Sequence, residues 1–420
     1  MEKIKQLKSK GYEILRWSEK YTKTDMVYLT KGGFWVSFGQ MTSSVLSLLL
    51  VIAFANLLPK ETYGLYKYIL SIAGLMNIFT LTGMNNAVAR NVARGNDGAL
   101  RTSVRYQLKW NILMFLAFII IGGYYFSNND INLAISLWIL GVFVPLILAF
   151  NTYGSYLEGK RQFSLASISS IISTTIYVVG ILLTLLISKE VVWIIAAYAV
   201  TTFTSTILFY LITLYKFKPP LKDEGDTLKY GRELTFIGLI GPIASQIDKV
   251  ILAHFWGSAQ LAIYSLAMAV PERATSLLKN WVGIGFPKFS TKTQGEINSV
   301  FYKRIFQGMF LGVIASVGYI ILAPFLFKYI LPQYIDSILY SQILAISLIF
   351  AIPNRYISLL LVSQKLSKRI FINSLIQSST RILLYIVMGV WGGIMGLIVA
   401  NVSMSFIGLL VQIKIWRSLD

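Results

Sequence analysis

Long apolar runs divided by short polar joints make up almost the whole chain. About 20 apolar residues cross a ~30 Å hydrocarbon core as one helix. Twelve runs are long enough: 32–58, 62–89, 107–126, 131–157, 162–187, 190–215, 231–256, 261–287, 305–327, 336–362, 368–390 and 392–415. Several joints are short, which predicts antiparallel neighbours. In the last pair only Trp391 and Gly392–Gly393 mark the joint. Residues 1–31 are polar and basic, with Ile4, Leu7, Ile14, Leu15 and Trp17 at near-helical spacing. They read either as an amphipathic helix on the membrane surface or as a solvated tail. The central segment Lys216–Lys229 mixes charges with a Pro pair and reads as a linker. The expected plan is an all-α integral membrane protein with a basic N-terminal segment (1–31), a six-helix lobe (32–215), a linker (216–230) and a second six-helix lobe (231–420).

The two halves echo each other. Ala55-N-L-L-P-K-E-T-Y-G-L-Tyr66 and Ala253-H-F-W-G-S-A-Q-L-A-I-Tyr264 superpose at an offset of 198 residues, which also sets Arg90 on Lys288. With both halves starting on the same side, this is a parallel repeat about a pseudo-twofold along the membrane normal. In such folds the substrate site lies at the repeat interface.

Charge fixes an orientation. The chain carries 38 Lys and Arg against 18 acids, a net charge of +20. Twenty-nine of the basic residues fall in the N-terminal segment, alternate joints and the C-terminal end, whereas the opposite joints hold only Lys60, Lys189 and Lys328. That bias puts both termini in the cytoplasm and accounts for the charge without a nucleic-acid partner. Charged residues are 13% of the chain, where soluble domains average ~25%. No cysteine is present and the single His254 stands alone, which excludes thiol chemistry and gives no metal-ligand spacing. No phosphate-binding G-x-x-x-x-G-K-[ST] occurs, so no nucleotide or other cofactor is expected. The first apolar run is not closed by a small-residue cleavage site, so no cleaved leader is expected.

Candidate chemistry concentrates between Ser245 and Lys279. Two apolar runs flank a turn near Gly257, and each carries an adjacent acid–base pair, Asp248–Lys249 and Glu272–Arg273. At 1.5 Å per residue both pairs are expected ~12–16 Å from the shared turn, near the bilayer midplane. A charge there costs ~2.5–3.5 kcal/mol unless it faces a partner or a wet cavity. Either a polar cavity or two structural ion pairs would satisfy them, and Asp248 and Glu272 are expected to face nearby cations. The 198-residue offset sets these four on Leu50, Val51, Gly74 and Leu75, so the first half lacks the charges.

Polar stripes extend the pattern. Ser265, Glu272, Ser276 and Lys279 share a helical face, as do Ser374, Gln377, Ser378, Arg381 and Tyr385. Arg381 sits near mid-depth, whereas Arg355, after Pro353, lies where it can snorkel. The stripes Ser37, Gln40, Ser44, Ser47 and Ser167, Ser170, Thr174, Tyr177 suit close helix packing. Six cations and two acids lie within spans, a balance that suits an anionic substrate such as a phosphate or diphosphate. Lys249, Arg273, Lys279 and Arg381 are the candidate substrate-binding residues, and Asp248 and Glu272 the candidate carriers of a coupling ion.

The segment N-L-L-P-K-E-T-Y-G-L-Y-K-Y…G-M-N-N-A-V-A-R (Asn56–Arg90) resembles the first-hairpin signature of Wzx-type polysaccharide and O-antigen repeat-unit flippases. Q-I-D-K-V-I-L-A-H-F-W-G…Y-S-L-A (Gln246–Ala267), ending in F-P-K-F-S (Phe286–Ser290), resembles the second-half signature. These proteins belong to the multidrug/oligosaccharidyl-lipid/polysaccharide exporters. The resemblance implies two six-helix lobes around a cationic cavity lined by Asp248, Lys249, Arg273 and Arg381. It implies translocation of an undecaprenyl-diphosphate-linked oligosaccharide between leaflets, with ion-coupled antiport. Membrane lipids, a polysaccharide polymerase and glycosyltransferases would be the partners. A drug or cation antiporter remains the alternative, with a membrane glycan polymerase disfavoured by short loops and scarce acids.

Overall fold

A computed structural model describes residues 26–418 apart from 224, 285–293 and 365. Most of the basic N-terminal segment, Lys288 and the Phe286–Ser290 motif lie outside the described residues. The described elements are helical. In the first half they are α1 (Met26–Leu57), α2 (Lys60–Leu75), α3 (Met84–Ala93), α4 (Ala99–Trp110), α5 (Ile112–Ser127), α6 (Ile131–Phe150), α7 (Thr152–Gly159), α8 (Phe163–Ile187) and α9 (Val191–Phe217). The second half holds α10 (Thr227–Ile237), α11 (Gly241–Trp256), α12 (Ser258–Ile284), α13 (Gln294–Ile330), α14 (Ser337–Ala345), α15 (Leu348–Ser363) and α16 (Ser367–Arg417). Helices are the outcome expected where no water is available to satisfy backbone groups.

Among the described residues seven helices are long and apolar enough to cross a membrane, and three bent pairs raise the number to ten. The two further segments expected from the sequence correspond to α16, whose helical course is interrupted at Gly393 (φ 54°), and to α12, which spans 27 residues but carries Glu272, Arg273 and Lys279. The starts of α2 and α12, at Lys60 and Ser258, are separated by the offset read from the sequence.

The breaks are supported by side chains. Between α2 and α3 the chain bends by 60°. There Thr80 Oγ1 donates to Asn111 Oδ1 (2.7 Å), Asn111 Nδ2 donates to the Pro145 carbonyl (2.7 Å), and the Gly83 N–H donates to Thr235 Oγ1 (3.0 Å). Freed backbone groups at membrane depth persist only with such partners.

Packing differs between the two faces of the bundle. At the face carrying the α1–α2 and α11–α12 turns, both halves contribute to one core, from Leu50 and Tyr66 to Leu261, Tyr264 and Leu397. Here α2 lies against α11 and α12. An ion pair, Lys60–Asp336 (3.2 Å), and a bond from Asn56 Nδ2 to the Ile330 carbonyl (3.0 Å) join the halves. At the opposite face the cores are separate: one holds Met84, Val88 and Tyr156, the other Phe301, Ile357 and Trp416. The joint between halves does not hang free. Asp223 accepts from Asn96, Asp226 pairs with Arg90 (3.5 Å), and α10 packs on α3 and α4.

Candidate functional site

Gly257, with φ 89°, reverses the chain in a single residue, a conformation a Cβ disfavours. The turn is therefore tighter than the sequence suggests, and α12 begins at Ser258. Glu272 then lies 14 residues into its helix, ~21 Å from the turn, while Asp248 lies ~13 Å away along α11. The two acid–base pairs occupy different depths rather than one.

Neither pair forms an ion pair with itself. Adjacent helical residues point about 100° apart and do not face each other. Asp248 is 3% exposed and accepts from the Tyr264 hydroxyl at 2.8 Å, while its Oδ1 has no protein partner. Lys249 Nζ donates to Gln246 Oε1 (3.2 Å). Among the described residues no ion pair within 4 Å joins Asp248 or Glu272 to a cation. Glu272 instead sits in the field of Lys249, Lys67 and Arg273 together with that of Asp248. Lys67 brings a charge from the first half, on α2.

A cavity of about 670 Å³ opens inside the second half, between α11, α12, α14, α15 and α16. Asp248, Lys249, Glu272, Lys279 and Arg381 all line it, as does Arg355. Its ionisable lining is thus four cations and two carboxylates. A contiguous pocket of about 270 Å³ shares Ser358, Gln377, Arg381 and Gln412 and continues to Ile370 and Asn373, toward the face where the halves have separate cores. The stripe on α16 is divided accordingly: Gln377, Arg381 and Tyr385 face the larger space, Ser374 and Ser378 the smaller. Of the α12 stripe, Glu272, Ser276 and Lys279 line the cavity, whereas Ser265 is buried with its hydroxyl unpartnered.

Arg273 goes elsewhere. It lines a groove of about 370 Å³ with Gln40, Ser43, Ser44 and Ser47 of α1, Glu158 of α7, and Ser167 and Ser170 of α8. The serine stripes do pack, since α1 lies against α8 and Thr174 Oγ1 approaches Ser43 Oγ at 3.4 Å. They also leave this groove open, with Arg273 reaching into it from the second half.

Arg355, Asn354 and Ser358 of α15, with Asn401 and Gln412 of α16, complete the cavity lining and were not singled out as site residues by sequence. The signal was a polar side chain inside an apolar run, as at Asn354-Arg355 after Pro353 and at Asn401 and Gln412. The Nε atoms of Arg355 and Arg381, Asn354 Oδ1 and Gln412 Oε1 are buried without hydrogen-bond partners in the protein. Buried polar groups are rarely left so.

Residues 29–290, more than half of the chain, match the model of the polysaccharide biosynthesis protein family. The chain belongs to that family. Solved structures share the fold at low identity. The lipid II flippase MurJ, in an inward closed conformation, aligns with TM-score 0.68 and 16% identity, over 91% of this chain and 89% of that one. An outward-facing multidrug resistance MATE transporter of the MOP superfamily aligns with TM-score 0.62 and 15% identity, over 93% and 96%. A MOP superfamily transporter from Pyrococcus furiosus, described by the reversed polarity of its binding pocket, aligns with TM-score 0.60 and 15% identity, over 92% and 95%. No curated protein matches the chain by sequence. The chain is a multi-pass membrane protein with the fold of the MOP exporters.

Proposed function

We propose that this family member is a Wzx-type flippase that moves a polyprenyl-diphosphate-linked oligosaccharide from the cytoplasmic to the outer leaflet for cell-surface polysaccharide synthesis. The observation that carries the reading is the cavity with more cations than carboxylates, lined by Lys279 and Arg381. The uncatalysed barrier is set by solvation, because an isolated ion in a medium of low dielectric costs tens of kcal/mol by Born estimates. A wet cationic cavity offsets that cost for the head group, while the lipid tail stays in the bilayer. A surplus of positive charge disfavours a cationic drug as cargo.

In this reading Lys279 and Arg381 hold the diphosphate, and Lys249 and Arg273 meet the glycan as it extends toward the first half. Asp248 or Glu272 carries the coupling ion. The separate-core face is cytoplasmic, in keeping with the placement of basic residues, and the shared core closes the outer side. Transport is a rocking of the two halves that opens the outer face, with glycosyltransferases upstream and a polymerase downstream. The test is flipping of an undecaprenyl-diphosphate-linked oligosaccharide in reconstituted vesicles. Arg381→Gln should slow flipping at least tenfold, about 1.4 kcal/mol of barrier, and Arg381→Lys, which keeps charge but loses the fork, less. Wild-type rates from well-folded Arg381→Gln and Lys279→Gln proteins would overturn the proposal.

A further inference from the structure

We infer that Arg355 completes a diphosphate site with Lys279 and Arg381 wholly inside the second half, and that Arg273 lies outside this site. The site does not require the flippase reading, which enters only in naming a lipid as the source of the diphosphate.

Three helices deliver the three cations, Lys279 from α12, Arg355 from α15 and Arg381 from α16, to one cavity. Lys279 sits in the field of both arginines. Among the described residues none of the three is in an ion pair, unlike Lys60, Arg90 and Lys160, which pair with Asp336, Asp226 and Asp97. Like charges gathered in one cavity raise one another's energy. Both guanidinium Nε atoms are also buried and unpartnered, and an unmade hydrogen bond of a charged donor is costly. One kind of ligand relieves both penalties, an anion with several oxygens. A guanidinium fork takes two such oxygens, and an ammonium adds a point charge. A carboxylate fills one fork only, whereas a diphosphate presents two phosphate groups to two forks and one ammonium. Asn354 and Gln412 stand beside it with unpartnered amide oxygens, which can accept from hydroxyls of an attached sugar.

The cavity is bipolar, which confines the anion. Glu272 lies two turns from Lys279 along α12, ~10 Å, and together with Asp248 repels an anion from the deeper end. Arg273, next to Glu272, is turned by about 100° into the groove lined by Gln40 and Ser44. Its charge therefore serves a different space.

The test is calorimetric binding of inorganic pyrophosphate to the purified full-length protein at constant ionic strength, with orthophosphate and sulfate as controls. Wild-type protein should bind pyrophosphate saturably and more tightly than either control. Arg355→Gln should weaken it at least tenfold, Arg355→Lys less, and Arg273→Gln less than twofold. Ligand-free Arg355→Gln should melt at or above the wild-type temperature, because it removes repulsion. A second arm offers undecaprenyl diphosphate in nanodiscs: tighter binding than free pyrophosphate marks a lipid source, equal binding a soluble one, and either supports the site. Should Arg355→Gln not fold, Arg355→Lys and Lys279→Gln carry the same comparison. Absence of saturable pyrophosphate binding, unchanged affinity in the Arg355 variants, or an equal loss in Arg273→Gln would overturn the inference. Intact pyrophosphate binding without oligosaccharide flipping would instead overturn the flippase reading alone.

Discussion

Asp248 illustrates what a buried carboxylate demands. Its neighbour Lys249 cannot reach it, so Tyr264, 16 residues away in sequence, donates the bond instead. A hydrogen bond to a charged group contributes ~1.5–3 kcal/mol. Tyr264→Phe is therefore expected to lower the apparent melting temperature in detergent, and Asp248→Asn in that background should recover much of the loss. Thermal unfolding of the single and double variants checks this, and an unchanged melting temperature in Tyr264→Phe would remove the claim. Arg355 makes the complementary point. From sequence it reads as a residue free to snorkel, yet its Nε is buried without a partner in the cavity it shares with Arg381. Nothing local separates those outcomes, because they depend on what the neighbouring helices present.

At the scale of elements, the α2–α12 contact governs how the halves meet. A Cβ on Gly64 would lie 1.7 Å from the Ser258 carbonyl oxygen, so the two helices approach as closely as backbone allows, in the manner of small-residue contacts in membranes. Gly64→Ala must push them apart, and overpacking of this kind costs ~1–3 kcal/mol. Gly318→Ala in α13 is the control, since a Cβ there meets nothing within 4 Å and removing a helical glycine gains ~0.5–1 kcal/mol. Melting temperatures in detergent should fall for the first and hold or rise for the second. A Gly64→Ala protein as stable as wild type would show that the contact yields without cost. The same element explains the depth of Glu272, since the tight turn at Gly257 starts α12 three residues earlier than the apolar run does.

The whole molecule is closed at one face and divided at the other. Lys60–Asp336 is the ion pair that bridges the halves at the closed face, with Asp336 largely exposed. An exposed pair contributes only ~0–1 kcal/mol, so it marks the closed state without holding it. The chain has no cysteine, which makes a Lys60→Cys, Asp336→Cys protein free of competing thiols. Bridged by a short thiol-reactive cross-linker, it should keep pyrophosphate affinity within about twofold, by calorimetry, while vesicle transport falls at least tenfold (~1.4 kcal/mol or more). Transport by the bridged protein at the rate of the unbridged one would show that this face need not open.

Hydrophobic length determined the all-helical membrane class and the positions of most spans, because the bilayer imposes one requirement on every crossing segment. The alternation of basic joints was equally legible, being a property of composition. The cation surplus and the α12 and α16 stripes were readable because a helix places residues three, four and seven apart on one face. Only the tertiary structure decided that Lys279, Arg355 and Arg381 share a cavity, that Arg273 faces the serine groove, and that Asp248 answers to Tyr264. Those relations join residues on separate helices, and the rotation and depth of each helix are set by packing against its neighbours.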